Sequence, residues 1–177
     1  MTLFRFSYYI IILFLVLSPL STFAKESTSE TASITRVIDG DTIVVKIDKY
    51  YEKVRLIGID TPETKDPRKT VQCFGKEASL YTTSLSKGKT AILKNDTQDA
   101  NRDKYGRLLR YVYLTDKNGA TTDFLNAKLI KDGYAYAYTH FPFMYKDQFK
   151  SYEKTARKNK KGLWSDTTCA GKRTSKK

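Results

Sequence analysis

Residues 33–47 alternate β-branched apolar and polar side chains on either side of Asp39-Gly40, which predicts a β-hairpin turning at that dipeptide. Residues 53–59 (K-V-R-L-I-G-I) read as a third strand. Period-two geometry sets Arg55 on the face of Ile57 and Ile59, opposite Val54 and Leu56. Residues 60–70, which hold Pro62 and Pro67, read as a loop. Phe74, Ala78, Tyr81 and Leu85 then recur at helical spacing, and Gly88 is the stop. Residues 90–94 predict a short strand, 95–106 a polar loop, and 107–114 a strand leading to a turn at Asn118-Gly119. A second helix is predicted over 122–131 with Phe124, Leu125 and Leu129 inward, followed by a short extended piece at 134–138. A third helix over 146–161 has Phe149, Tyr152 and Ala156 as its buried stripe, and the turn at 162–164 folds Leu163 and Trp164 back on the core. Five strands with helices mostly late in the chain predict an α+β fold, a five-stranded OB-fold β-barrel with three helices.

The two ends lie outside this pattern. Residues 1–24 carry one charge, Arg5, then an apolar run from Tyr8 to Leu17 and a small-residue stretch ending at Ala24. That is the form of a secretory signal peptide cut after Ala24; the run is short against the ~20 residues of a spanning helix, an uncleaved anchor being the alternative. No Cys stands at the end of the run or at the predicted cut, which argues against a bacterial lipoprotein anchor. Residues 25–32 are polar and Ser/Thr-rich and read as a flexible leader, 33–166 as one domain, and 167–177 as a basic, loose tail. The expectation is a secreted or periplasmic monomer with no stable membrane association once the signal is removed.

Charge and cysteines narrow the chemistry. The 177 residues include 32 Lys and Arg against 19 Asp and Glu, a formal net charge of +13, which draws the protein to polyanions without choosing among them. Thirteen Tyr and nine Phe supply stacking surfaces for bases or filling for a β-rich core. The only cysteines are Cys73 and Cys169. In a compartment that permits disulfides, pairing them would tie the start of the first helix to the tail, and this is the expectation; two separate thiols are the alternative.

Taken singly, Asp39-Gly40-Asp41 is a hairpin turn, Asp60-Thr61-Pro62-Glu63 an Asx-type turn, and Lys104-Tyr105-Gly106-Arg107 a turn entering a strand. Together they are more specific. Arg55 on a half-buried face needs anions nearby, and Asp60, Glu63 and Asp41 are the carboxylates at hand. Three acids beside one or two arginines form either a closed ion network or a metal–phosphate site. A lone His and no free nucleophilic Cys leave few rival chemistries.

The segments I-D-G-D-T (38–42), R-L-I-G-I-D-T-P-E-T (55–64) and D-K-Y-G-R (103–107) resemble the staphylococcal nuclease (thermonuclease) family. The intervals from Asp41 to Arg55, Asp60, Glu63 and Arg107 in turn are 14, 5, 3 and 44 residues and match the family's prototype without a gap. G-K-E-A-S (75–79) and G-L-W-S (162–165) fit as well. The resemblance runs from about residue 33 to 164 and implies the same OB barrel with three helices. It implies Ca²⁺ held by Asp41, Asp60 and the Thr61 carbonyl, Glu63 as general base, and Arg55 and Arg107 on the phosphate. It places Lys104 and Tyr105 beside the nucleotide, with Tyr136 and Tyr138 near the base and terminal phosphate, although the segment before the last helix is two residues shorter here. The cysteine pair departs from the prototype, which has no disulfide. His140 reads as a loop residue. The implied activity is hydrolysis of DNA and RNA, single strands preferred, with little sequence preference and 3′-phosphate ends. The alternatives are an OB module that binds nucleic acid without cutting it, and a basic exported protein that binds anionic envelope polymers.

Overall fold

The structure is a computed structural model that describes residues 28–64, 70–98 and 100–173. The signal peptide assigned to residues 1–24 lies outside the described residues, as do the first part of the leader and the last four residues of the tail.

Five strands close on one another. β1 (Ser29–Asp39), β2 (Thr42–Ile47) and β3 (Tyr50–Leu56) form an antiparallel meander, and β5 (Thr90–Lys94) pairs antiparallel with both β1 and β6 (Leu108–Thr115). The parallel pairing of Val54–Leu56 with Leu108–Arg110 joins β3 to β6 and shuts the barrel, which removes the exposed edges of an open sheet. β1 is long enough to serve two neighbours, β5 through Ser29–Ser33 and β2 through Ser33–Asp39, with register shifts at Ile34/Arg36 and Val37/Asp39 where it bends. The inward positions Ile34, Ile43, Val45, Val54, Leu56, Leu93, Val112 and Leu114 belong to one continuous core. At about 1.5–3 kcal/mol for each fully buried aliphatic side chain, these positions dominate the stability of the barrel.

Three helices complete the domain: α1 (Gly75–Ser86), α2 (Leu125–Lys131) and α3 (Lys146–Lys158), followed by a single 3₁₀ turn, Gly162–Trp164. β4 (Ile59–Asp60) and β8 (Tyr136–Ala137) form a two-residue antiparallel ladder. A second apolar cluster joins Tyr136, Ala156, Leu163 and Trp164, with Phe74 packed on it. The Cys73–Cys169 disulfide closes over this cluster with a sequence separation of 96; a loop of that length gives about 4–5 kcal/mol in the chain-entropy model.

Four sequence expectations shift. Residues 29–32, read as a leader, are the first rungs of β1: their backbone pairs with β5, and the Glu30 carboxylate takes the buried Arg110 guanidinium at 2.9 Å. Residues 121–124 are β7 (Thr121–Phe124), not the start of a helix, because they pair with Tyr113–Thr115 of β6 and the helix begins only at Leu125. Helix α3 ends at Lys158. The third strand ends at Leu56, and Gly58, with φ of +74°, turns the chain before β4. Ile57 and Ile59 are therefore in the core together with Val54 and Leu56. The turn, not strand alternation, separates them from Arg55.

Candidate active site

The hairpin turn, the β4 loop and the start of β6 meet at one end of the barrel. Gly40 makes this approach possible: a Cβ there would lie 2.7 Å from the Thr61 side chain, too close for any other residue. Asp41, at the start of β2, is buried and reaches across to the loop. Its Oδ2 accepts hydrogen bonds from the Thr61 backbone N–H at 2.8 Å and the Thr61 hydroxyl at 3.2 Å, while its Oδ1 accepts from the Thr42 hydroxyl at 3.1 Å. These bonds fix the direction of the carboxylate.

Arg55 sits between the aspartates. Its Nη2 is 3.1 Å from Asp41 Oδ2 and 3.1 Å from Asp60 Oδ1, and its Nη1 donates to the carbonyls of Leu56 at 3.0 Å and Ile59 at 2.8 Å. Three of the five guanidinium N–H groups thus donate hydrogen bonds, to Leu56, Ile59 and Asp60, and the two carboxylates converge on a single nitrogen. Arg107 joins from β6: its Nη1 donates to the Thr42 hydroxyl at 3.3 Å, one hydrogen bond away from Asp41. Asp103 aims it, accepting from Arg107 Nε at 2.7 Å and from the Arg107 amide at 3.0 Å. Burial would raise the pKa of Asp103, but the Arg107 hydrogen bonds hold it below its ordinary value. The opposite occurs at Asp39, whose carboxyl is pushed up to about 7 by burial and by the like charge of Asp41.

Asp41, Arg55, Asp60 and Arg107 therefore form one network. Glu63 stands two residues beyond Thr61 on the same loop, its carboxylate Oε1 accepting from the Thr64 amide at 2.8 Å and its amide donating to Gln72 Oε1 at 2.9 Å. The cleft beside the network has a volume of about 550 Å³ and is bordered by Arg55, Asp60, Lys104, Tyr105, Arg107 and Tyr138, with Phe141 and Phe143 also in its lining. Tyr105 is 69% exposed and Tyr138 36%. Tyr136 is elsewhere: it is 7% exposed, packs edge-on against Trp164 at 5.1 Å, and has its hydroxyl pKa raised by burial. As a member of the second cluster it presents no face for a base, which corrects its assignment as a substrate contact. His140 is an exposed loop residue beside Tyr138, as expected.

Three participants escaped the sequence. Thr42 couples the two halves of the network, and Asp103 orients Arg107 at the i,i+4 spacing that could have announced it. Arg173, read as part of a loose tail, instead pairs with Asp60 Oδ2 and stacks 4.0 Å over the Tyr136 ring. The disulfide four positions earlier holds that segment in place.

The donors fit a hard cation. Asp41 and Asp60 turn carboxylate oxygens toward one point, the ligand class that calcium and magnesium prefer. Among the described residues no group of three or more His, Cys, Asp or Glu is placed to hold a metal ion, so the protein's share would be these two carboxylates with a backbone carbonyl, and the rest water and substrate oxygen.

Comparison with known proteins agrees with the geometry. The family model described as staphylococcal nuclease homologue matches residues 53–166. The chain is similar to the thermonuclease of Staphylococcus hyicus, 39% identical over 143 residues covering 80% of each protein. It is also similar to the thermonuclease of Staphylococcus intermedius, 40% identical over 146 residues covering 80% of this chain and 82% of that one. The SPbeta prophage-derived endonuclease YokF of Bacillus subtilis is 42% identical over 135 residues, 75% of this chain and 43% of its own length. By the matched domain and by these identities, this chain belongs to the staphylococcal nuclease family.

Proposed function

We propose that the cleft hydrolyses phosphodiester bonds of DNA and RNA in a Ca²⁺-dependent reaction with little sequence preference, leaving 3′-phosphate ends. Family membership supports a nuclease. The observation that carries the finer reading is Arg55 Nη2 lying 3.1 Å from both Asp41 and Asp60, with Arg107 linked to the same cluster through Thr42. We further propose that the protein works outside the cell or in a periplasm, as a monomer, after loss of residues 1–24; the signal-like N-terminus supports export.

Asp41, Asp60 and the Thr61 carbonyl would hold the cation, which supplies positive charge beside the scissile phosphate. Arg107 meets the phosphate from the other side, its guanidinium stabilising the charge that grows as phosphorus becomes five-coordinate. Glu63 takes the proton of the attacking water, and the 5′-oxygen leaves with a proton drawn from solvent. Arg55 Nη2, which donates to Asp60 and lies 3.1 Å from Asp41, would reach a phosphate oxygen by exchanging one of these carboxylates for it. Contacts of this kind are to backbone phosphate, and Tyr105 and Tyr138 at the rim accept any base, so sequence is not read and an unpaired strand is preferred.

Two carboxylates and a carbonyl are few ligands for a cation that takes about six to eight oxygens, so substrate oxygens complete the set and cation and nucleotide reinforce each other. Isothermal calorimetry should show weak Ca²⁺ binding alone and clearly tighter binding in the presence of a nucleoside bisphosphate; equal affinities would sink the coupling. Because Arg173 covers Asp60 Oδ2, Arg173→Ala should raise Ca²⁺ affinity by up to about fivefold, the scale of one partly exposed ion pair.

Incubation of the mature protein with denatured DNA tests the function directly. Fragments with Ca²⁺ and none with a chelator are expected. Retention of DNA on the protein without cutting, in either condition, would replace the enzyme by a binding module.

A further inference from the structure

The loop that carries the site residues is pinned at three points. Arg55 Nη1 takes the Ile59 carbonyl at 2.8 Å, Asp41 Oδ2 takes the Thr61 amide at 2.8 Å, and Gln72 closes on Glu63. Gln72 occupies both backbone polar groups of Glu63: its side-chain Oε1 accepts from the Glu63 amide at 2.9 Å, and its own amide donates to the Glu63 carbonyl at 2.9 Å. The first two pins serve the cation ligands; the third serves the base. The chain around Gln72 is firmly anchored. Cys73 is bonded to the buried Cys169, with the Cα atoms 6.0 Å apart. The Cys169 segment is itself tied to the 3₁₀ turn, Thr168 Oγ1 donating to the Gly162 carbonyl at 2.7 Å and the Gly171 amide to the Leu163 carbonyl at 2.8 Å. Phe74 follows in the left-handed region, with φ of +68°, and packs on the second apolar cluster. A bulky residue seldom adopts that conformation, which persists where surrounding contacts enforce it and clusters at functional sites. Gly75 then lets helix α1 start against the loop: a Cβ there would lie 2.6 Å from Thr64 Cγ2 and 3.0 Å from the Pro62 and Glu63 carbonyls. The buried Thr64 hydroxyl has no hydrogen-bond partner among the described residues, so it does not share in holding the loop.

We propose that Gln72 is the positioning residue for Glu63, setting where the carboxylate of the base stands while leaving the cation site to its own supports. This rests on Glu63 acting as the base, as proposed above, and adds what aims it. Glu63 Oε1 accepts from the Thr64 amide, so its side chain follows the backbone of residues 63 and 64, and Gln72 holds that backbone. A general base works only within hydrogen-bond reach of the water it deprotonates. A displacement of about 1 Å can cost about 10²-fold in rate.

The test uses Gln72→Leu, which keeps the bulk but offers no acceptor, and Gln72→Glu, which keeps an acceptor oxygen of the same reach. On denatured DNA at saturating Ca²⁺, Gln72→Leu should lower kcat by about 10–100-fold with KM within about twofold. Ca²⁺ affinity, measured by calorimetry with a nucleoside bisphosphate present, should stay within about twofold of wild type, because Asp41 holds Thr61 independently. Gln72→Glu should return kcat to within about threefold of wild type. By NMR, hydrogen exchange of the Glu63 amide should quicken at least about tenfold in Gln72→Leu, with the Val112 amide unmoved. If Gln72→Leu does not fold, Gln72→Ala takes its place. A kcat within about twofold of wild type, a fall in Ca²⁺ affinity parallel to that in kcat, or no recovery in Gln72→Glu overturns the assignment. A wild-type protein that cut nothing would refute the nuclease reading instead. Exchange at the Glu63 amide still decides the hold of Gln72 on the loop, and an unchanged rate overturns it.

Discussion

Glu63→Gln should lower the rate of phosphodiester hydrolysis by about 10²–10⁴-fold, the range of a positioned general base, without moving the unfolding midpoint. Glutamine keeps the shape of the side chain and an oxygen that can accept the Thr64 amide, which in the native loop lies 2.8 Å from Glu63 Oε1. The loop itself is held by backbone bonds to Gln72 at 2.9 Å, which the substitution does not touch. What is lost is the capacity to take a proton from water. Single-turnover rates on denatured DNA, beside thermal unfolding of both proteins, separate the two effects. Activity at a tenth or more of wild type would assign the base to another group.

Asn126→Leu should destabilise the fold by about 2–6 kcal/mol, read as a shift of the urea midpoint. Asn126 is fully buried in α2 and joins three segments: its Oδ1 accepts from the Val112 amide at 2.9 Å, and its Nδ2 donates to the carbonyls of Ile57 at 3.0 Å and Arg110 at 3.2 Å. The Arg110 carbonyl also accepts from the Ile57 amide and keeps a partner. Leucine fills similar space but strands the Val112 donor and the Ile57 acceptor, each costing about 1–3 kcal/mol when buried without a bond. The Ile57-Gly58 turn leads directly to Asp60, so hydrolysis should fall with stability. A shift worth less than about 1 kcal/mol would mean that the turn is held by its packing alone.

The hairpin at Asp39-Gly40, the helix stop at Gly88 and the fold-back of Leu163 and Trp164 were legible because each rests on a local rule, a turn dipeptide or a repeat of apolar positions. The network of Asp41, Arg55, Asp60 and Arg107 was legible for another reason: short segments with fixed spacing carried it. The strand at residues 29–32 was hidden because its Ser, Glu, Thr and Ala carry little strand signal, and it acquires its shape from β5, about sixty residues away in sequence. Tyr136 and Tyr138 look alike in a Tyr–Ala alternation, yet one is sealed under Trp164 and Arg173 and the other stands at the cleft.

Residue types and short-range periodicity settle whatever depends on neighbours within a turn or a rung: where strands and helices run, and which acids and bases stand close along the chain. Closure of β3 on β6, the Glu30–Arg110 pair at a separation of 80 residues, and the descent of Arg173 onto Asp60 across 113 residues depend on distant parts of the chain arriving together. Such contacts form because burial leaves a charge or an amide in need of a partner, and local sequence carries no record of which partner the packed core will bring within reach.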